Sequence, residues 1–258
     1  MISVITVTKN DSVRLASTVK SLTKYYKLKN FQHIVVHGGE VNYDEKKLIK
    51  HHKKIELINE NDNGIYDAMN KGINRCKMDY VLFLNCGDRL VMTPKNMKIV
   101  LDKLKVCNII CLPYIQEWPN QLIKKNPTSP TKNILPTSHQ AMLFRKTFIK
   151  KNLYDTTYKI AADFDLYHKS NFSQIQIVKN CNPLTLVEGE GVASSNITRS
   201  YMEYFIIVKK KFGIFFGAIP LFKILFKYFL SFISNTVFSK RIANKIREFI
   251  CKISRFYD

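Results

Sequence analysis

Acidic residues are scarce in this chain: 20 Asp or Glu stand against 41 Lys or Arg over 258 residues, a net charge of +21. Such an imbalance implies an anionic partner, and nucleic acid, anionic lipid and pyrophosphate-bearing substrates all qualify. Cysteine is sparse and scattered. Its six copies (Cys76, Cys86, Cys107, Cys111, Cys181 and Cys251) contain no C-x-x-C pair, which argues against a zinc site or a disulfide framework and fits a reducing cytoplasm. In the basic, apolar C-terminal stretch the longest uncharged run, Tyr228 to Ser239, has twelve residues. That is too short for a membrane-spanning helix, which needs about 20. There is no P-loop, no Ser-His-Asp arrangement, no repeat and no low-complexity tract. The first residues lack the basic and apolar regions of a leader, since Met1 to Val7 runs at once into Lys9, Asn10 and Asp11. They read as a first strand, and the chain is expected to stay in the cytoplasm.

What is present is the pattern of an α/β domain. With 46% hydrophobic residues, a chain of this length can bury a large core. Ile2 to Val7, Phe31 to Val36, Ile55 to Ile58 and Tyr80 to Leu84 are short β-branched or apolar runs. Between them lie stretches with helical spacing, such as Val13, Leu15, Val19 and Leu22 after the capping residues Asp11 or Ser12. That alternation predicts a mainly parallel sheet with right-handed crossovers. Pro94 to Leu104 follows as a helix, with strands around Ile109, Gln140 to Phe144 and Gln174 to Val178, and a helix from Asp163. Pro113, Pro119, Pro127, Pro130 and Pro136 mark the intervening stretch as loops that shape a substrate site.

The most informative segment is NDNGIYDAMNKGINRCKMDYVLFLNCGD, residues 61 to 88. Its apolar strand ends abruptly in amide and carboxylate, which lifts a hard oxygen to the carboxyl edge of a sheet, where open α/β folds bind nucleotides. Five further segments accompany it: ISVITVTKND (2 to 11), IVVHGGE (34 to 40), SHQAMLFRK (138 to 146), AADFDLY (161 to 167) and, within the first, YVLFLNCGD (80 to 88). In that order and spacing the chain resembles the family 2 glycosyltransferases of GT-A fold, in particular the branch that builds bacterial surface polysaccharides such as O-antigen and capsule. The likeness covers roughly residues 1 to 190. It implies a GT-A domain over residues 1 to 200, with a nucleotide-sugar half to about residue 90 and an acceptor half beyond it.

Moving a sugar off a nucleoside diphosphate requires charge neutralisation on the departing diphosphate and deprotonation of the incoming hydroxyl. The resemblance implies Asp88 as ligand of Mg²⁺ or Mn²⁺, with Asn85 and Gly87 where many relatives have Asp. It implies Asp163 as general base in an inverting reaction, with Asp165 beside it on the acceptor side. Asp62, Asn63, Gly64, Asp67, Asn70, Lys71 and Asn85 fall on the donor side, and Asp67, Asn70 and Lys71 share one helix face. His139 and Gln140 correspond to a polar pair at the acceptor mouth. The donor implied is a nucleotide-sugar, a UDP-sugar first. His37 stands where the family usually has Asp to read uracil, leaving Asp11 or Asp62 to compensate.

Residues 201 to 258 carry eleven Lys or Arg against Glu203, Glu248 and Asp258. Lys223 and Lys227 fall one turn apart, as do Arg241 and Lys245, as in a helix lying in the headgroup layer of an anionic membrane. The alternative is a helix packed on the domain or on a second copy in a homodimer. The functional expectation is transfer of a sugar onto a lipid-linked glycan at the inner face of the cell membrane, with no nucleic acid. The competing readings are a non-catalytic membrane scaffold with a degenerate GT-A fold and a basic nucleic-acid-binding protein, which lacks RRM, KH or helix-turn-helix signatures.

Overall fold

The computed structural model describes residues 1–104, 106–189 and 197–216. The chain divides into two compact units, Met1–Ser195 and Asn196–Asp258. In the first, strands β1 (Ile2–Thr8), β2 (Phe31–His37), β3 (Ile55–Asn59) and β4 (Tyr80–Phe83) alternate with helices α1 (Ser12–Leu22), α2 (Tyr43–His51) and α3 (Ile65–Arg75). Strands β5 (Arg89–Leu90), β6 (Ile109–Cys111), β7 (Tyr114–Trp118), β8 (Gln121–Lys125), β9 (Met142–Arg145), β10 (Ile175–Ile177) and β11 (Thr185–Glu188) follow, with helices α4 (Pro94–Asp102), α5 (Lys146–Lys151) and α6 (Ala162–Lys169). The larger sheet has seven strands in the order β10-β6-β9-β4-β1-β2-β3. All its pairings are parallel except those of β9, which runs antiparallel to both β4 and β6. The mixed α/β fold with a mainly parallel sheet matches the expectation from sequence.

Every residue of β1 and β2 is buried, which is why these strands read as continuous apolar runs. Their polar members are paired across the sheet: Ser3 Oγ donates to Gln32 Oε1 at 2.7 Å, and Thr6 Oγ1 lies 3.0 Å from His33 Nε2. Helix α3 packs closely on β1. A Cβ at Gly72 would stand 2.6 Å from Ile5 Cγ2, so glycine there sets the approach of helix to strand.

Three details differ from the sequence reading. Val13, expected on the apolar face of α1, is 80% exposed. The segment from Gln140 starts as a 3-10 turn over His139–Ala141, and the strand begins at Met142. The stretch between Pro113 and Pro127 is not all loop: β7 and β8 form a hairpin in a second sheet of order β5-β11-β7-β8. Beyond Pro127 the chain does form a loop, closed by Thr128 N donating to Pro136 O at 2.8 Å and by Thr137 Oγ1 donating to Leu112 O at 2.9 Å. The Tyr167 hydroxyl of α6 accepts from Thr131 N at 3.0 Å and donates to Thr131 O at 2.9 Å.

The second unit is described over helix α7 (Ile197–Phe212) and on to Phe216. No helix among the described residues is long and apolar enough to cross a membrane. The amphipathic helix expected farther along, around Lys223 to Lys245, lies outside the described residues.

Candidate active site

Because β1 to β4 are parallel, their carboxyl ends share one edge of the sheet, and the connections that leave it form the floor of a site. Strand β9 runs the other way. Its start therefore reaches the same edge and brings Gln140 near enough to favour the ionised Asp88 carboxylate.

The loop from Asn85 to Asp88 follows β4. Asp88 N bonds back to Asn85 O at 3.0 Å, and Gly87 has φ 101°, a left-handed conformation that suits glycine. Thr18 of α1 braces the turn from beneath: its hydroxyl donates to Asp88 O at 2.8 Å and accepts from Gly87 N at 2.9 Å. Asp88 is only 4% exposed, and its Oδ1 accepts from Glu188 N, at the end of β11, at 3.2 Å. Burial pushes its carboxyl up to about 7, helped by the neighbouring Glu188 charge and opposed by Arg14, Gln140 and the Glu188 N–H. Arg14 Nε donates to Glu188 Oε1 at 3.2 Å, and its Nη2 pairs with Glu188 Oε2. Asn85 Oδ1 is buried without a hydrogen-bond partner.

The donor-side residues of α3 form a second group. Asp62 lies against the turn after β2, where a Cβ on Gly38 would stand 1.8 Å from its Oδ2. Its Oδ1 accepts from Gly64 N at 3.0 Å. Gly64 caps α3 at φ 122°, and it is this backbone angle that calls for glycine, since a Cβ there would meet nothing within 4 Å. Asp67 Oδ2 accepts from Asn63 N at 2.9 Å, and Lys71 donates to Asn61 O while lying 3.6 Å from Asp67. Asp67 and Lys71 thus hold the loop from Asn61 to Gly64 in place.

Asn70, expected on the donor side, bonds to backbone across the fold. Its Nδ2 donates to Tyr154 O and its Oδ1 accepts from Tyr154 N, both at 2.9 Å. The amide forms a backbone clamp between α3 and the segment before α6. His139, expected at the acceptor mouth, lies in the core. It is 7% exposed and packed among Phe83, Phe144 and Tyr154, with ring centroids 5.0 to 5.8 Å apart. Its Nε2 lies 2.5 Å from the Tyr154 hydroxyl, and burial pushes its pKa down to about 3. Burial among aromatic rings keeps it neutral at physiological pH. His37 is equally buried, between Glu45 Oε2 at 3.0 Å and Gly39 O at 3.2 Å.

Asp163 stands in the first turn of α6, half-buried, with Oδ1 accepting from Phe164 N at 2.8 Å. Its charge is felt by the buried Tyr154 hydroxyl. Asp165 pairs with Lys169 at 2.9 Å on the same helix. Arg14, Thr18 and Glu188 escaped the sequence reading. Glu188 lies 100 residues from Asp88 and 174 from Arg14, so no local spacing could announce them.

The model for glycosyl transferase family 2 matches residues 3–153, more than half of the chain. The chain belongs to glycosyl transferase family 2. Solved structures agree on the fold. TarS from S. aureus superposes with TM-score 0.63 at 15% identity, over 92% of this chain and 46% of that one. Its 1–349 fragment with UDP-GlcNAc gives 0.61 at 15%, over 95% and 70%. The mannosyltransferase PcManGT from Pyrobaculum calidifontis, with GDP-Man and Mn2+, gives 0.58 at 10%, over 98% and 80%. The chain thus spans less than half of the longer TarS chain. No curated protein matches it.

The residues at the Asn85–Asp88 loop fit a hard divalent cation. Among the described residues no three His, Cys, Asp or Glu side chains converge on one point, but Asp88 and the unpartnered Asn85 Oδ1 are oxygen donors of the kind Mg²⁺ and Mn²⁺ prefer.

Proposed function

We propose that this member of the family is an inverting, metal-dependent glycosyltransferase that moves one sugar from a nucleotide-sugar onto a lipid-linked glycan in surface-polysaccharide synthesis. The observation that carries the reading is the buried Asp88 carboxylate at the carboxyl edge of the sheet, in the same short loop as the Asn85 amide oxygen, which is buried with no partner. A buried carboxyl pushed up to about 7 is destabilised as an anion and gains from a cation beside it.

Asp88 and Asn85 would hold the divalent ion, which when bound supplies charge neutralisation for the departing diphosphate. Asp62 and the Asn61–Gly64 loop, braced by Asp67 and Lys71, face the donor beside the Gly38 turn. His37 is enclosed by Glu45 and Gly39, so any reading of the base falls to Asp11 and Asp62. Asp163 takes the proton from the acceptor hydroxyl as the new bond forms, and one base suffices for inversion. The Glu188 N–H fixes the Asp88 carboxylate, Gln140 lies near it, and Asp165 positions Lys169 on the acceptor helix.

The same proposal places the protein on the inner face of the cell membrane. Helix α7 ends in Lys209, Lys210 and Lys211, and Ile214, Phe215 and Phe216 just beyond it are exposed. Basic residues next to exposed apolar ones suit an anionic lipid surface. A screen of purified protein against UDP- and GDP-sugars, with and without Mn²⁺, tests the central claim by release of nucleoside diphosphate. Release from at least one donor, abolished by EDTA, is expected. A folded protein that releases none from any donor with either metal would favour the non-catalytic scaffold.

A further inference from the structure

Arg14 and Glu188 meet directly over the loop that carries Asp88. A Cβ at Gly87 would lie 2.6 Å from Glu188 Oε1 and 2.7 Å from Arg14 Nε, so the ion pair rests on the loop backbone itself. The guanidinium grips both carboxylate oxygens, the two-pronged geometry that favours arginine. Glu188 is meanwhile tied to Asp88 by its own N–H. Two carboxylates of like charge therefore stand close together, Asp88 feels both the Glu188 charge and that of Arg14, and the unpartnered Asn85 Oδ1 belongs to the same short loop as Asp88.

We propose that Arg14 is an internal counter-ion holding the place of the divalent cation, and that metal entry transfers Glu188 from the guanidinium to the ion, as a ligand beside Asp88 and Asn85. The proposal rests on the metal-dependent reading above and adds two residues to it. A doubly charged hard ion outcompetes a diffuse guanidinium for carboxylate oxygen. The Arg14 side chain is half exposed, at 49%, so release lets it turn into water without stranding a buried charge. Glu188 would thereby make good the carboxylates missing at Asn85 and Gly87. Resting neutralisation by Arg14 also explains how Asp88 and the neighbouring Glu188 stay together before metal arrives.

Mn²⁺ titration of the full chain without donor, followed by the electron paramagnetic resonance signal of the free ion, tests the exchange. Arg14→Gln removes the competing charge and is expected to bind Mn²⁺ at least about tenfold more tightly than the parent, while Glu188→Gln binds about tenfold more weakly. Arg14→Lys keeps the charge but not the two-pronged grip, and its affinity falls between parent and Arg14→Gln; it serves if Arg14→Gln fails to fold. Equal or weaker binding by both Arg14 variants, or parent-like binding by Glu188→Gln, overturns the exchange and leaves the metal-dependent reading standing. Absence of Mn²⁺ binding in every protein overturns both.

Discussion

Replacing Asp88 by Asn is expected to stabilise the metal-free protein at neutral and alkaline pH while removing metal-dependent turnover. The carboxyl is 4% exposed, and burial lifts it from 3.8 to about 7. Below pH 3.8 the group is protonated in folded and unfolded chains alike and contributes no difference. As pH rises toward 7 the unfolded chain releases a proton that the folded chain retains, so folding loses stability across this window. Above about pH 7 the loss is complete and constant, on the order of 4 kcal/mol as an upper bound. The amide introduced by Asp88→Asn carries no charge and keeps an oxygen for the Glu188 N–H, so the variant escapes this penalty. Urea unfolding of parent and variant in EDTA, at about pH 4, 6 and 8, gives the comparison directly. The two proteins should differ little at about pH 4, and the variant should lead by about 2 to 4 kcal/mol at about pH 8. A variant less stable than the parent at the alkaline end, or a gap that does not change with pH, would refute the reasoning.

Asp163→Asn should bind donor nearly as the parent does and lose transfer by a factor of about 10² to 10⁴; single-turnover transfer beside donor titration separates the two, and a larger loss in Asp165→Asn would reassign the base. Asn70→Ala removes both hydrogen bonds to the Tyr154 backbone and should cost about 2 to 4 kcal/mol in urea unfolding, with donor affinity of the folded protein little changed. A selective loss of donor binding at unchanged stability would instead assign Asn70 to donor binding. Removing residues 201 to 258 should release the protein from vesicles of anionic lipid while sparing donor hydrolysis, since each Lys or Arg near such a surface contributes about 1 kcal/mol. Sedimentation with vesicles at low and high salt decides it, and binding that survives truncation would point to a packing or dimerisation role instead.

The central sheet was legible because strands such as β1 and β2 are buried on both faces and so are written as mainly apolar and β-branched runs between helices. The second sheet was not. Strands β7 and β8 are only partly buried, their residues mix apolar with charged, and Pro113 and Pro119 on either side of β7 read as loop. The Pro119-Asn120 turn between two five-residue runs was the available signal for a hairpin. Among site residues, those adjacent in sequence were readable as a group: Asp62 to Lys71 form one loop and helix start, and Asn85 to Asp88 one turn. Their individual partners were not. Asn70 looks like its helix neighbours until Tyr154 is seen across it, and His139 looks like a surface polar residue until Phe83, Phe144 and Tyr154 enclose it. Burial and long-range partners belong to the folded chain, and the linear pattern carries neither.

The loop pinned by Tyr167 has a consequence for how such an enzyme diversifies. Thr128, Thr131 and Thr137 fasten its base, middle and exit to fixed atoms, which leaves the exposed Ser129 as a place where sequence can drift without shifting the helix that carries Asp163. Under the proposed function, selection can then rewrite what the loop meets while Asp163 stays in register. Chimeras that exchange only residues 129 to 135 among close relatives should accordingly remain folded and retain donor hydrolysis, and any change in acceptor choice should track the inserted segment.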